Sequence, residues 1–463
     1  MSMSKPVIRP IAGQLAVATA VTLNVSTVQA QETWSVSSSV LMYQEADDRI
    51  QAIEPMLLVT HAVSEDSEVS AKIVYDSLTG ASPNGAMPAN QPQTFTSPSG
   101  LNANALDDDE DEIEDDEDED DENEEEGTYV AQPGSKPFDP SFEDTRTLLG
   151  LGWRGAISEH YQAAVGLEYS TETDYASVSL DATLKRSLNN KNTEVSVGVN
   201  LEQDTVMPFG AIPMPFSEYA NRHTQGNEAT RELADVMLGV TQVFSRRWLS
   251  QFNLSFSHSS GYQEDPYKIL TVADQGNLLA HPTVPDTWRY AFESRPDSRL
   301  KTILYWKNKI ALNTRDVLDV SARYMHDDWG VRSGTLNVTW RWHASDDWYW
   351  EPHWRYYRQT AADFYTPFLR NGVEVNVTDT GLEPLVDHAA SDARLAAFDA
   401  RTIGLKTGIR WFDRHEWSIR AEYYQQQDKN GMLKVPTGSD LAGMEQFTEL
   451  SAFWVHTSYQ IRW

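Results

Sequence analysis

The sequence predicts an all-β fold: a transmembrane antiparallel up-and-down β-barrel of about sixteen strands, with short turns at one end and long loops at the other. Three observations predict it. Segments that alternate apolar and polar residues recur along most of the 463 residues. Laid up and down in order, these segments put every connection longer than ten residues on one side. The last segment carries Phe453, Val455, Thr457, Tyr459, Ile461 and Trp463 on one parity, and Trp454, His456, Ser458, Gln460 and Arg462 on the other. Successive strand side chains point to opposite faces, so this segment has one mostly apolar wall and one mostly polar wall.

The N-terminus reads as a removable signal peptide over 1–30. Lys5 and Arg9 form a short basic region, Ile11 to Val25 is mainly apolar and small, and Val28-Gln29-Ala30 fits a cleavage site. Gln14, Thr19, Thr22 and Asn24 interrupt that stretch, which is too short for a spanning helix. The expected mature chain, 31–463, leaves the cytoplasm. Nothing after residue 30 approaches the roughly eighteen consecutive apolar residues of a membrane helix. The absence of cysteine excludes disulfide scaffolds, cysteine zinc sites, iron–sulfur clusters and CxxCH haem attachment.

The strands are expected near 33–44, 52–63, 67–79, 144–155, 161–172, 175–187, 193–204, 230–244, 248–258, 298–312, 316–326, 331–343, 348–359, 397–411, 417–426 and 448–463. Val195, Val197, Val199 and Leu201 alternate with Ser196, Gly198, Asn200 and Glu202; Leu336, Val338, Trp340 and Trp342 alternate with Asn337, Thr339, Arg341 and His343. No helical period fits these runs. Each is long enough for a tilted membrane strand of about 9–11 residues. The first, second and eighth alternate least.

With both ends of the mature chain on the periplasmic side, the periplasmic turns fall at 64–66, 156–160, 188–192, 245–247, 313–315, 344–347 and 412–416. The external loops include 80–143, 205–229, 259–297, 360–396 and 427–447. Short inner turns and long outer loops are the habit of bacterial outer-membrane barrels. A soluble β-sandwich would alternate too, but would not sort its loops by side, and no blade repeat of a propeller is visible. The 15 Trp, 19 Tyr and 15 Phe suit aromatic girdles at membrane interfaces.

The net charge of −32 misleads. Residues 107–126 hold 18 acids among 20 residues, and removing those 18 charges leaves −14. A nucleic-acid partner is therefore not expected. The tract lies in the long external loop 80–143, cannot bury a core and is expected to be disordered. Its carboxylates, among them Asp107, Asp108, Asp109, Asp115 and Asp116, offer weak collective cation capture without the spacing of a tight site.

The polar parity names lumen-lining candidates. Strands five to seven place Glu168, Glu172, Asp181, Glu194 and Glu202 there, against Lys185. Strands ten and twelve to fifteen place Lys301, Lys307, Lys309, Arg341, His343, Arg355, Lys406, Arg410 and Arg420 there, against Glu351 and Glu422. Strand six faces strand fourteen in a sixteen-strand barrel, so an acidic wall would oppose a basic one. The alternative is ion pairing between neighbouring strands. No enzyme is expected, and no catalytic or cofactor-binding residue is assigned. The eleven His are dispersed, HExxH and GxSxG are missing, and the adjacency of His258 and Ser259 is not triad geometry.

Loop segments carry a resemblance. They are Asp76-Ser77-Leu78-Thr79-Gly80-Ala81-Ser82-Pro83-Asn84-Gly85, then Gln93 to Gly100, Phe142-Glu143-Asp144-Thr145-Arg146, Asp265-Pro266-Tyr267-Lys268, Arg295-Pro296-Asp297-Ser298-Arg299, Ala361 to Tyr365 and Ser391-Asp392-Ala393-Arg394-Leu395. In this order they resemble a family of bacterial outer-membrane proteins known as domain of unknown function 3570. The resemblance implies an integral outer-membrane barrel in a Gram-negative bacterium, without an assigned activity. It also implies a link to periplasmic redox or flavin-linked partners, and no family-wide role for the acidic insert. Resemblance to outer-membrane barrels at large implies that the barrel-assembly machinery reads Tyr459, Ile461 and Trp463, beside contact with outer-membrane lipid. Three functions are expected in turn: a channel or transporter for small polar or charged solutes, a docking barrel for an envelope redox system, and a surface receptor or adhesion platform.

Overall fold

The computed structural model describes residues 33–46, 49–80, 83–97, 127–285, 287–429, 431 and 433–463. The expected signal peptide and the acidic tract, with Asp107, Asp108, Asp109, Asp115 and Asp116, lie outside the described residues. Sixteen strands close into one barrel: β1 (Trp34–Glu45), β2 (Gln51–Ser64), β3 (Ser67–Thr79), β4 (Glu143–Ser158), β5 (Tyr161–Thr171), β6 (Tyr175–Leu188), β7 (Thr193–Val206), β8 (Ala229–Ser245), β9 (Trp248–Gly261), β10 (Ser298–Ala311), β11 (Val317–Asp327), β12 (Arg332–His343), β13 (Trp348–Gln359), β14 (Phe398–Trp411), β15 (His415–Asp428) and β16 (Leu450–Arg462). Each pairs antiparallel with the next, and β16 returns to β1 between Ser35↔Arg462 and Glu45↔Ala452. Closure pairs every strand edge, which satisfies the backbone polar groups that lipid cannot.

Number and order agree with the sixteen expected segments; the ends differ by a few residues. β4 runs to Ser158 rather than 155 and slips register between Ala156 and Ser158. β15 begins at His415 rather than 417. Ladder hydrogen bonds continue after side-chain alternation stops, so alternation underestimates strand length.

One parity of the wall is apolar and exposed, with Leu149, Leu151, Leu167, Leu180, Leu201 and Ile403 among its residues. Tryptophans on this face dispose of their indole N–H locally. Trp306 donates to Ser250 Oγ at 3.0 Å, Trp348 to Thr407 Oγ1 at 2.9 Å and Trp417 to Thr457 Oγ1 at 3.0 Å. Such pairing lets a large aromatic ring stand on an apolar outer face without an orphaned donor. Tyr459, Ile461 and Trp463 share this parity, and Trp463 N–H donates to Trp34 O at 3.0 Å.

The long loops at the other end are folded together. Met87 and Ala89 from the β3–β4 loop, Ala273 and Leu278 from β9–β10, Phe368 from β13–β14 and Leu441 from β15–β16 share one buried cluster. A second cluster joins Phe216 of the β7–β8 loop to Leu270, Val272, Leu369 and Val375. Segments 269–274, 277–278, 290–292 and 369–370 pair as a small sheet. Loops rooted around the whole circumference can share one core only by crossing the mouth. The loops therefore form a cap with a hydrophobic core of its own.

Candidate functional site

Two constellations carry charge: the inner wall of the barrel and the base of the cap. The ladder fixes the inner wall. Lys301, Asp327 and Ser257 face one way across β9 to β11, and Arg355, Asn337 and Thr402 do so across β12 to β14. Their parity is opposite to the exposed apolar one. Of the expected lumen residues, Glu168, Asp181, Glu194, Glu202, Arg341, Arg355, Lys406, Arg410 and Arg420 all stand on this inward parity. Glu172 falls beyond β5, in the connection to β6.

Many of these charges are held by neighbours in the wall. Lys72 pairs with Glu168, and Lys185 with Glu194 at 3.6 Å. Arg341 Nε lies 2.9 Å from Glu351, and Arg420 reaches Glu351 and Glu422 at 3.0 Å each. Arg410 meets Glu416 at 3.7 Å, and Lys307 meets Asp319 at 3.2 Å. His353 stands between Glu422 Oε1 at 2.7 Å and Asn337 Oδ1 at 2.6 Å. Two opposed walls of free charge, as simple parity suggests, are thus reduced: neighbour pairing neutralises much of each. A remainder survives. Among the described residues Lys301, Arg323 and Arg355 make no ion pair, and Lys406 lies over the Tyr349 ring, 5.9 Å from its centroid. Among the inward acids Asp181 and Asp235 make none, although Asp235 accepts from Asn200 at 3.5 Å and shares a row with Lys301 two strands away. The excess is acidic on β6 and β8, and basic on β10, β11, β13 and β14.

Arg323 and Asp235 escape a reading of the clearest alternating segments. The eighth segment alternates weakly, with Arg231, Leu233, Asp235 and Met237 sharing its inward face. In the eleventh, Asp319, Ser321 and Arg323 at every second residue were the available signal.

The second constellation gathers the loop motifs, which are far apart in the chain. Asp265 accepts from Arg394 Nη2 at 2.9 Å, and its N–H donates to Glu293 at 2.6 Å. Arg295 pairs with Glu293 at 2.6 Å and Asp392 at 2.9 Å. Arg394 Nε donates to both oxygens of Asp392, at 2.8 and 2.7 Å. Lys268 donates to the carbonyl of Pro83, and Ile269 N–H to that of Asn84 at 2.9 Å. Tyr267 donates to Asp174 at 2.9 Å and accepts from Phe209 N–H at 2.9 Å. Burial pushes the Glu293 carboxyl up to about 7 in spite of Arg295, and the Asp174 carboxyl up to about 7. Burial alone would raise Asp392 as well, but Arg394 and Arg295 hold it far below the usual carboxylate range.

Gly85 completes this junction. Its φ is +96°, and a Cβ there would lie 2.3 Å from Ser391 Oγ and 2.6 Å from Ile269 O. Gly80, at φ +79°, sits against the carbonyl of Arg49, 1.9 Å from where a Cβ would be. Both positions demand glycine. Asp76 and Arg146 pair across β3 and β4 at 3.3 Å, and Arg146 also reaches Glu54 at 3.3 Å. Asp144 instead accepts from Thr173 at 3.3 Å. The motifs thus meet at one interlocked base, where the cap is fastened to the rim.

Beside it, segments 361–389 and 428–447 enclose a cleft of about 380 Å³, with Phe364, Tyr365, Arg370, His388 and Phe447 on its walls.

No curated protein matches the sequence. Among solved structures, a bacterial polysaccharide outer membrane secretin matches with 9% identity and a TM-score of 0.42, covering 94% of this chain and 100% of that one. The CymD monoaromatic hydrocarbon channel matches with 6% identity and a TM-score of 0.36, covering 94% and 90%. The siderophore receptor PirA from Acinetobacter baumannii matches with 8% identity and a TM-score of 0.38; 87% of this chain is covered, which spans 54% of that receptor. These are likenesses to barrels of the outer-membrane type and extend to no function. The sequence itself matches the family described as "Protein of unknown function (DUF3570)" over residues 9–461, nearly its whole length, and the chain belongs to that family.

Proposed function

We propose that the protein is an outer-membrane channel or transporter for small polar or charged solutes, with its capped end facing outward. One observation carries this reading: a sixteen-strand barrel whose inward parity is mostly polar, apolar exceptions such as Ile303 and Met325 aside, and keeps unpaired acids on β6 and β8 and unpaired bases on β10, β11, β13 and β14. Barrels of about sixteen strands are wide enough to leave an aqueous lumen. Fixed charges facing each other across low-dielectric walls order water and favour polar solutes.

Planar-bilayer recording tests the reading. Folded protein, identified by its heat-dependent mobility on gels, is expected to give stepwise conductance above background. Silence from demonstrably folded and inserted protein would rule the reading out. A surface receptor is the second reading, and the aromatic cleft between the cap segments favours it. Retention of a cell-surface ligand after the walls of that cleft are deleted would count against it.

A further inference from the structure

We infer that Arg323 and Arg355 form a binding site for small oxyanions, carboxylates or phosphates, midway along the inner wall. This deepens the channel reading and rests on it for its biological use. Nearly every inward arginine has a carboxylate in the wall beside it: Arg146, Arg154, Arg231, Arg299, Arg341, Arg410 and Arg420 are all ion-paired. Among the described residues Arg323 and Arg355 are not, nor is Arg462 at the rim, which donates to Gln460 instead.

The ladder explains why they are free. Arg323 stands opposite Tyr305 on one side and Thr335 on the other. Arg355 stands opposite Asn337 and Thr402. Ser321 and Met325 flank Arg323 on its own strand, His353 and Tyr357 flank Arg355, and none of these neighbours is a carboxylate. The two arginines stand two strands apart in adjacent inward rows, Arg323 in line with Thr335 and Tyr357, and Arg355 in line with Asn337 and Ser321. Arg355 is solvent-exposed although its side chain points inward, so it reaches into the lumen rather than lying along the wall.

Two like charges beside each other with no counter-charge are unfavourable unless something anionic relieves them. Guanidinium groups match carboxylate and phosphate oxygens in forked pairs, and the surrounding hydroxyl and amide groups supply further donors. The acidic remainder at Asp181 and Asp235 sits on strands three or more places away, so it repels an anion toward this side without neutralising the arginines.

The test separates this site from the channel reading. Inorganic phosphate is titrated into folded, detergent-solubilised protein and followed by calorimetry. In parallel, chloride current and reversal potential are recorded with and without phosphate. Wild type is expected to bind phosphate, prefer anions and show phosphate block. Arg323→Gln/Arg355→Gln is expected to bind at least about tenfold more weakly and to lose the preference. Arg355→Gln alone, a change at an exposed group that leaves the fold intact, is expected to show an intermediate loss. Arg410→Gln, whose parent is paired to Glu416, is expected to bind as wild type. Phosphate binding that is lost in the double variant of a non-conducting protein supports the site while the channel reading fails. Conductance with no phosphate binding, or binding unchanged in the double variant, overturns the site and leaves the channel reading standing.

Discussion

At the residue scale, the buried charges at the base of the cap are the most consequential groups outside the lumen. Arg295 is fastened between Glu293 and Asp392 and is nearly inaccessible. Removing it leaves Glu293 without its ion partner, while Asp392 keeps Arg394, and breaking a buried pair in this way costs about 3–5 kcal/mol. Arg295→Met should therefore open segment 262–297 to trypsin while the barrel keeps its heat-dependent gel mobility; an unchanged cleavage rate would contradict the assignment. The same cluster sets a pH dependence. Burial raises Glu293 from 4.5, and Asp174 from 3.8, to about 7. A carboxyl whose folded pKa is raised binds its proton more tightly in the native cap than in the opened one. The cap is then most stable below the unfolded values and loses stability as pH rises toward about 7. Hydrogen exchange in 262–297 should accelerate, beyond its intrinsic pH dependence, as pH rises from about 4 to about 7. Glu293→Gln should flatten that slope, and a slope of unchanged steepness would refute the role given to Glu293.

At the scale of elements, strands and loops follow different rules, and that difference decides what was legible in the sequence. Strands such as β7 and β12 declare themselves because an apolar outer face and a polar inner face impose a period of two on every residue. Their ends are less visible: β4 continues past its last alternating residue because the ladder, not the side chains, sets its length. The cap is built otherwise. Leu270, Val272 and Leu369 are buried without any period, among segments with no sequence neighbourhood in common. Asp265, Arg295, Asp392 and Arg394 show in the sequence only as separate short motifs, because ion pairs over such separations have no local signature. Pairing within the wall is hidden for a related reason: parity identifies the inward face, but the register that brings Arg341 to Glu351 depends on turn lengths. Gly85 tests the element-level account. Gly85→Ala adds a methyl group against Ser391 and Ile269 at a positive φ, where a β-carbon alone costs about 1–2 kcal/mol. Proteolysis confined to 83–97, with sheet content by circular dichroism unchanged, is the expected result; loss of the whole barrel would show that the junction is not local.

For the molecule as a whole, the proposed channel function makes cap and wall two barriers in series. The cap obstructs by volume, since loops from all sides of the barrel meet across its mouth. Under that proposal the wall selects by charge, since its unpaired cations and anions sit on the strands below. Barriers of these two kinds respond differently to the same deletion. Replacing 262–297 by a short Gly-Ser linker removes the central strands of the cap and one side of the Glu293–Arg295 cluster, yet alters no inward residue of β9 or β10. Single-channel conductance is expected to rise severalfold while the reversal potential in a salt gradient stays within a few millivolts of wild type. The converse variant, Lys301→Gln/Arg323→Gln/Arg355→Gln, is expected to move the reversal potential toward cation preference with little change in the cap's protease resistance. If removing the cap instead shifted selectivity as strongly as the lumen variant does, the charges that choose the solute would belong to the loops, and the residual charge of the wall would have only a structural part.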